Sequence, residues 1–157
     1  VGDSRAYAID RTGIRQLTKD HSLVQMMVER GELTPERART YPGKNFITRA
    51  VGTESVLESD LFHYRLSRGD CLLLCSDGLY RSIPEDRLQQ IVCGYAGSFC
   101  TLADYLVSTA ARLCAQRDNT SVILLRMRAP EPEKMQFDRV QLQTYRLFPA
   151  YNFQLLL

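Results

Sequence analysis

The sequence predicts an α+β domain, and three observations carry that prediction. Residues 71–75, Cys-Leu-Leu-Leu-Cys, are a continuous apolar run too short for an amphipathic helix, which predicts a strand buried on both faces. Ala6 to Asp10 and Ser121 to Met127 carry the apolar, aromatic and β-branched residues expected of further strands. Between them, Leu102, Leu106, Ala110 and Leu113 recur at helical spacing and predict the longest helix, opened by Thr101.

The remaining elements follow in order from their punctuation. Asp10-Arg11-Thr12-Gly13 is a turn signal, so Ile14 to Leu17 is expected to return beside the first strand. Ser22 with Gln25 three residues on forms a capping box, and Leu23, Met26 and Met27 share one face of the helix that Gly31 should stop. Thr34-Pro35-Glu36 opens a second short helix, which Pro42 and Gly43 confine to about residue 40. Residues 22–48 therefore form a small helical insert. Asn45 to Ala50 and Leu61 to Leu66 are expected strands. Ser82-Ile83-Pro84-Glu85 reads as another capping box, opening a helix to about Val92 with Leu88, Ile91 and Val92 inward. From Ala129 the composition changes, and Pro130-Glu131-Pro132-Glu133-Lys134 reads as a linker before a tail with no assigned role. The expected division is thus 1–128 for the domain and 129–157 for linker and tail.

Composition narrows the function classes. A hydrophobic content of 45% with 24% charged residues is that of a folded domain, and a net charge of +2 favours neither nucleic acid nor an anionic membrane as partner. No apolar run approaches the roughly 20 residues that span a bilayer. The five cysteines include no Cys-x-x-Cys pair, and two of them sit in the apolar run, so neither a disulfide framework nor a zinc site is expected. A reducing, cytoplasmic location fits that usage.

Three aspartates occupy comparable places. Asp3 precedes a strand, Asp77 follows the apolar run, and Asp118 lies between the longest helix and the final strand. Hard divalent ions such as Mg²⁺ and Mn²⁺ take oxygen ligands, and carboxylates delivered to sheet ends could converge on one. Read alone, Ser76-Asp77-Gly78 is first of all a strand end with a solvated turn, since Asp-Gly is foremost a turn dipeptide and glycine accepts positive φ.

The blocks Val1-Gly2-Asp3-Ser4-Arg5-Ala6-Tyr7, Leu17-Thr18-Lys19-Asp20-His21-Ser22, Thr48-Arg49-Ala50-Val51-Gly52, Gly69-Asp70 with Leu74-Cys75-Ser76-Asp77-Gly78-Leu79, and Asp118-Asn119-Thr120-Ser121-Val122 stand in one order. In that order they resemble the metal-dependent protein phosphatases, the PP2C or PPM family, and its bacterial members above all. The resemblance implies a four-layer α-β-β-α sandwich with a flap at about 22–48. It implies a Mn²⁺ or Mg²⁺ centre of two or three ions, with Asp77 and Asp118 on the first metal and Asp3 sharing a weaker one with Asp77. It further implies a metal-activated water attacking phosphoserine or phosphothreonine directly, without a phosphoenzyme. Phosphoproteins, and a cognate serine/threonine kinase among them, are the implied partners of a monomeric enzyme.

The family's Asp-Gly-x-Gly block does not occur in the 157 residues, nor do the upstream Glu, the phosphate-binding Arg and the general-acid His. No catalytic residue beyond the metal ligands is therefore assigned. Because Val1 falls inside a family block, the chain is expected to be the C-terminal part of a longer phosphatase, incomplete at its N-terminal side. Alone it is expected to be inactive and poorly soluble. The rival expectation is a pseudophosphatase or phosphoprotein-binding module; a metal-binding domain without phosphatase ancestry is a third.

Among the other polar residues, His21 is expected to be structural, Asp20, Asp60 and Asp70 to fix turns, and Arg49 to meet either phosphate or a structural carboxylate. His63 receives no role, and Tyr41 stands where bacterial flaps often carry a histidine before the proline.

Overall fold

The described residues fold around one antiparallel sheet whose middle strand is the apolar run. A computed structural model describes residues 1–54, 56–113, 118–127 and 143–147. Its elements are β1 (Arg5–Ile9), β2 (Ile14–Gln16), α1 (Leu23–Glu29), α2 (Pro35–Ala38), β3 (Cys71–Cys75), α3 (Asp77–Tyr80), α4 (Glu85–Gly94), α5 (Phe99–Leu113), β4 (Thr120–Arg126) and β5 (Gln143–Leu147). The strands lie in the order β2-β1-β3-β4-β5, each pair antiparallel. The α+β class stands, and the described residues contribute one sheet layer and one helical layer of the expected sandwich.

The first hairpin follows from one side chain. Asp10 Oδ1 accepts from the Thr12 hydroxyl, which does most to hold the Asp10 carboxyl below its ordinary range, and from the backbone N–H groups of Thr12 at 2.6 Å and Gly13 at 3.0 Å, which close the turn. On the insert, Ser22 caps α1 by accepting from the Gln25 N–H, and Thr34 caps α2 by accepting from that of Arg37. Gly31, at φ 71°, follows the end of α1.

Register places Tyr7 opposite Leu73 and Leu73 opposite Leu124. These residues, with Ile9, Cys71, Cys75 and Val122, face one core with Leu79, Ile83, Leu88, Leu102, Leu106 and Val107. Cys71 and Cys75 behave there as small hydrophobes, each thiol pushed up to about 12 by burial.

Four expectations are corrected. The apolar run is not buried on both faces: Leu72 and Leu74 are only half-buried, since α4 and α5 join the core on the Leu73 side. On the other side, the segment around Phe62, Tyr64 and Leu66 leaves a groove of about 290 Å³ over Ala6 and Leu72. Residues 45–50 and 61–66 form no strands; the former makes an isolated bridge, Ser22 to Ile47, and the latter runs without a ladder partner among the described residues. Alternation alone does not make a strand where no neighbouring backbone offers hydrogen bonds. Ser82 does not cap α4, which begins after Pro84; the Ser82 hydroxyl instead donates to the Gly78 carbonyl at 2.7 Å. The linker expected at 129–134 lies outside the described residues; β5 pairs along the free side of β4.

Leu73 is fully buried at the centre of both strand pairings. Leu73→Ala should lower unfolding free energy by about 2–5 kcal/mol, read as a shift in the urea midpoint at unchanged slope.

Candidate metal centre

At the end of β3 the chain turns directly into α3, so Ser76-Asp77-Gly78 is a strand-to-helix junction and not the free turn its dipeptide suggests. Gly78 does not have positive φ. Its lack of a side chain matters for another reason. A Cβ there would lie 2.5 Å from the Asn119 carbonyl oxygen and 2.7 Å from Thr120 Oγ1. Only glycine lets the first turn of α3 press against the loop that enters β4. Ser76 secures the same junction: its hydroxyl donates to the Asn119 carbonyl at 3.1 Å and accepts from the Ser121 N–H at 3.0 Å, while its own N–H donates to the Ser121 carbonyl.

This approach brings two of the three predicted aspartates into electrostatic reach. Burial pushes the Asp77 carboxyl above its ordinary range, the Arg81 charge opposes the shift, and Asp118 and Asp3 add to it. Asp118 turns its Oδ1 toward the Asn119 N–H at 2.8 Å.

Asp3 arrives from the other direction, ahead of β1. Arg81, one helical turn beyond Asp77, donates from Nη1 to Asp77 Oδ2 at 2.8 Å and from Nη2 to Asp3 Oδ2 at 3.1 Å. The Tyr80 hydroxyl donates to the Asp3 carbonyl at 3.0 Å. Burial pushes the Tyr80 phenol well up, so it remains a donor. Neither Tyr80 nor Arg81 was singled out from sequence. Helical continuation beyond Asp77 would have placed Arg81 beside it at i+4, but the Asp-Gly turn signal masked that continuation.

Two of the sequence blocks meet beneath this cluster. Arg5 forks onto Asp20, Nε to Oδ1 at 3.0 Å and Nη2 to Oδ2 at 2.8 Å, and its guanidinium lies 3.8 Å from the centre of the Tyr80 ring. Its remaining nitrogen donates to the Tyr7 hydroxyl at 2.9 Å. Asp20 is thus the buried partner of Arg5 and not a turn residue. His21 is structural, as expected: its N–H donates to the Gly2 carbonyl, its carbonyl accepts from Thr48, and its Nε2 lies 3.0 Å from Asp60 Oδ2. Asp60 also accepts from Arg49 at 3.1 Å, and Arg49 lies 3.5 Å from Glu58, so Arg49 is engaged by carboxylates. Asp70 closes a turn by accepting from the Ser67 N–H.

The donor chemistry suits a hard divalent ion, because every acidic group at the junction offers carboxylate oxygen. Convergence is partial. Arg81 ties Asp3 to Asp77, whereas among the described residues no three acid, histidine or cysteine side chains gather closely enough to hold an ion.

No protein-family model matches the chain. The serine/threonine phosphatase Stp of Listeria welshimeri is 40% identical over 125 residues, 80% of this chain and 49% of the relative. The crystal structure of the serine/threonine phosphatase Stp1 from Staphylococcus aureus superposes with a TM-score of 0.74 at 40% identity, covering 79% of this chain and 48% of that one. Over most of its own length the chain is similar to about half of a bacterial serine/threonine phosphatase. A further structural relative, the catalytic domain of the phosphatase PstP in complex with two manganese ions, matches with a TM-score of 0.64 at 30% identity. It too is matched over half its length, 50%, and the chain spans about half the length of the curated relatives it resembles.

Two outcomes follow from the junction and its support. Gly78→Ala should destabilise by about 1–3 kcal/mol, because backbone oxygen and not a flexible side-chain tip must give way; thermal melting checks it. The hydrogen bond from His21 is the largest of the influences that hold the Asp60 carboxyl below its ordinary range. Its stabilisation is complete above the unfolded value near 4 and fades as pH falls through the lower folded value. Melting temperature should therefore drop below about pH 4, and Asp60→Asn should flatten that acid limb.

Proposed function

We propose that the chain carries the Asp3, Asp77 and Asp118 side of the metal centre of a protein serine/threonine phosphatase. The single observation that supports this most directly is the Gly78 contact with the Asn119 carbonyl, which sets Asp77 beside the Asp118 loop at the end of the sheet. The names of the relatives support the reaction class, and the manganese in the PstP structure supports the cofactor class.

Asp77 and Asp118 would supply carboxylate oxygens to one Mn²⁺ or Mg²⁺, and Asp3 with Asp77 to another. When bound, such ions supply a deprotonated water at neutral pH and a clamp for charge on the phosphoryl oxygens. The chain's own contribution is orientation. Ser76 and Gly78 fix where Asp77 starts its helix, Tyr80 fixes the backbone of Asp3, and the Arg5–Asp20 pair fixes Tyr80. Residues 22–48 form the flap beside this edge, residues 1–128 the phosphatase-like unit, and 129–157 a linker and tail that lends β5 to the sheet.

Phosphoserine and phosphothreonine proteins are the proposed substrates, a cognate serine/threonine kinase a proposed partner, and a cytoplasmic monomer the proposed form. Support comes from the reduced, buried thiols of Cys71 and Cys75 and the near-neutral charge. No helix among the described residues is long and apolar enough to cross a membrane. A second reading, phosphoprotein binding without turnover, is favoured for the 157 residues by themselves, because no three-ligand cluster forms among the described residues and no Asp-Gly-x-Gly block occurs.

The test is direct. Calorimetric titration with Mn²⁺ should give saturable binding that Asp77→Asn and Asp118→Asn each abolish, and the 157 residues alone should not hydrolyse a phosphothreonine peptide. Unchanged Mn²⁺ binding in both variants would sink the ligand assignment, and turnover by the chain alone would sink the binding-only reading.

A further inference from the structure

Arg81 makes a specific pair of contacts that the ligand reading does not use. Its two terminal nitrogens divide between two carboxylates, Nη1 on Asp77 and Nη2 on Asp3, and both bonds end on the Oδ2 atom of the acceptor. The Tyr80 hydroxyl lies 3.4 Å from the same Asp3 Oδ2. The guanidinium is planar, so it spans the two acids as a fixed fork. A divalent ion shared by Asp3 and Asp77 would draw on the same two carboxylates that Arg81 neutralises.

We propose that Arg81 is a built-in counter-cation for the Asp3–Asp77 pair, holding the two carboxylates together without metal and competing with any divalent ion that would bridge them. The inference rests on the reading of Asp3 and Asp77 as metal ligands. Its physical basis is charge balance. Two carboxylates drawn to one place repel unless a cation stands between them, and the cation present is a side chain from the turn that carries Asp77. Arg81 is about one-quarter exposed, so the guanidinium can swing into water when an ion displaces it. Metal binding at this pair is then an exchange of one cation for another. Arg81 weakens metal affinity and stabilises the metal-free chain.

The experiment compares wild type, Arg81→Gln, Arg81→Lys and Asp77→Asn, all as the 157-residue chain, with far-UV circular dichroism to verify folding. Free Mn²⁺ is counted by electron paramagnetic resonance during titration, and melting is followed in chelator and in Mn²⁺. Removing two partly buried charge-assisted contacts should raise Mn²⁺ affinity about five- to tenfold in Arg81→Gln. The same change should lower the melting temperature in chelator and enlarge the upward shift on adding Mn²⁺. Arg81→Lys keeps the charge but loses the fork, and should fall between; it carries the test if Arg81→Gln does not fold. Equal affinity in wild type and Arg81→Gln, with binding abolished by Asp77→Asn, would leave the ligand reading standing and overturn the counter-cation. Weaker binding in Arg81→Gln would overturn it too, making Arg81 a positioning residue. Absence of Mn²⁺ binding in every variant would overturn the ligand reading and this inference together.

Discussion

The structure depends on one close approach, that of Gly78 to the backbone at Asn119. An apolar central strand normally leaves its sheet through a loop with freedom to wander. Here β3 passes without a loop into α3, and the first turn of that helix is wedged against the entry to β4. Glycine is required because of what lies opposite it and not because of its own φ. The Ser76 hydroxyl closes the remaining gap, donating to one side of the β4 entry and accepting from the other. The result is a rigid sheet end that displays Asp77 with little freedom, which is what precise placement of a ligand demands.

Rigidity there has an electrostatic cost. Desolvation lifts the proton affinity of Asp77, and Asp118 and Asp3 lift it further. A fold shaped only for stability would place an amide or an apolar residue at such a position. The surrounding scaffold tolerates the charge through Arg81 on one side and a second set of pairs beneath it. Arg5 and Asp20 form the better-buried pair, with Asp20 only 8% exposed and both guanidinium edges used. Removing Arg5 would strand a buried carboxylate, a heavier penalty than the pair's own net worth. Through the Tyr80 ring that pair supports Asp3, and through Asp20 it anchors the start of the insert. His21 then ties the insert to Gly2 and, by way of Asp60 and Arg49, to the segment that follows it. The blocks legible in the sequence are therefore one mechanical chain from the helical insert to the carboxylates.

Sequence reasoning reached the parts whose cause is local. The apolar run, the Asp10 turn, the Ser22 and Thr34 caps and the stripe of α5 depend on neighbours in sequence, and each appears within a few residues of its expected bounds, except that Leu113 at the end of the stripe is exposed. It failed where the cause is distant. Ser82 and Glu85 have the spacing of a capping box, yet the Gly78 carbonyl claims the Ser82 hydroxyl first. Asp77-Gly78 has the composition of a turn, but the residue deciding its conformation lies in the loop before β4. The importance of Arg81 was hidden for the same reason, since one of its carboxylates precedes β1 and the other opens α3. The three aspartates themselves were legible as a set only through their place beside strands and the resemblance of their blocks.

The second face of the sheet bears on what surrounds the site. A sheet with one wet face alternates apolar with polar residues, but Ala6, Leu74 and Ile123 form one cross-strand row on the face away from α4 and α5, and Ala8, Leu72 and Leu125 the next. These rows are core-like in composition, yet Leu72, Leu74, Ile123 and Leu125 are only half-buried. The segment laid against them keeps Leu61 85% exposed and Phe62 49% exposed. Such a face has the composition of a surface that packs against another layer. The same strands that carry this face end at Asp77 and begin after Asp3 and Asp118. Whatever packs on the Leu72 side therefore also sets the wall beside the carboxylates, and the Asp3–Asp77 cluster and the apolar sheet face are two edges of one boundary.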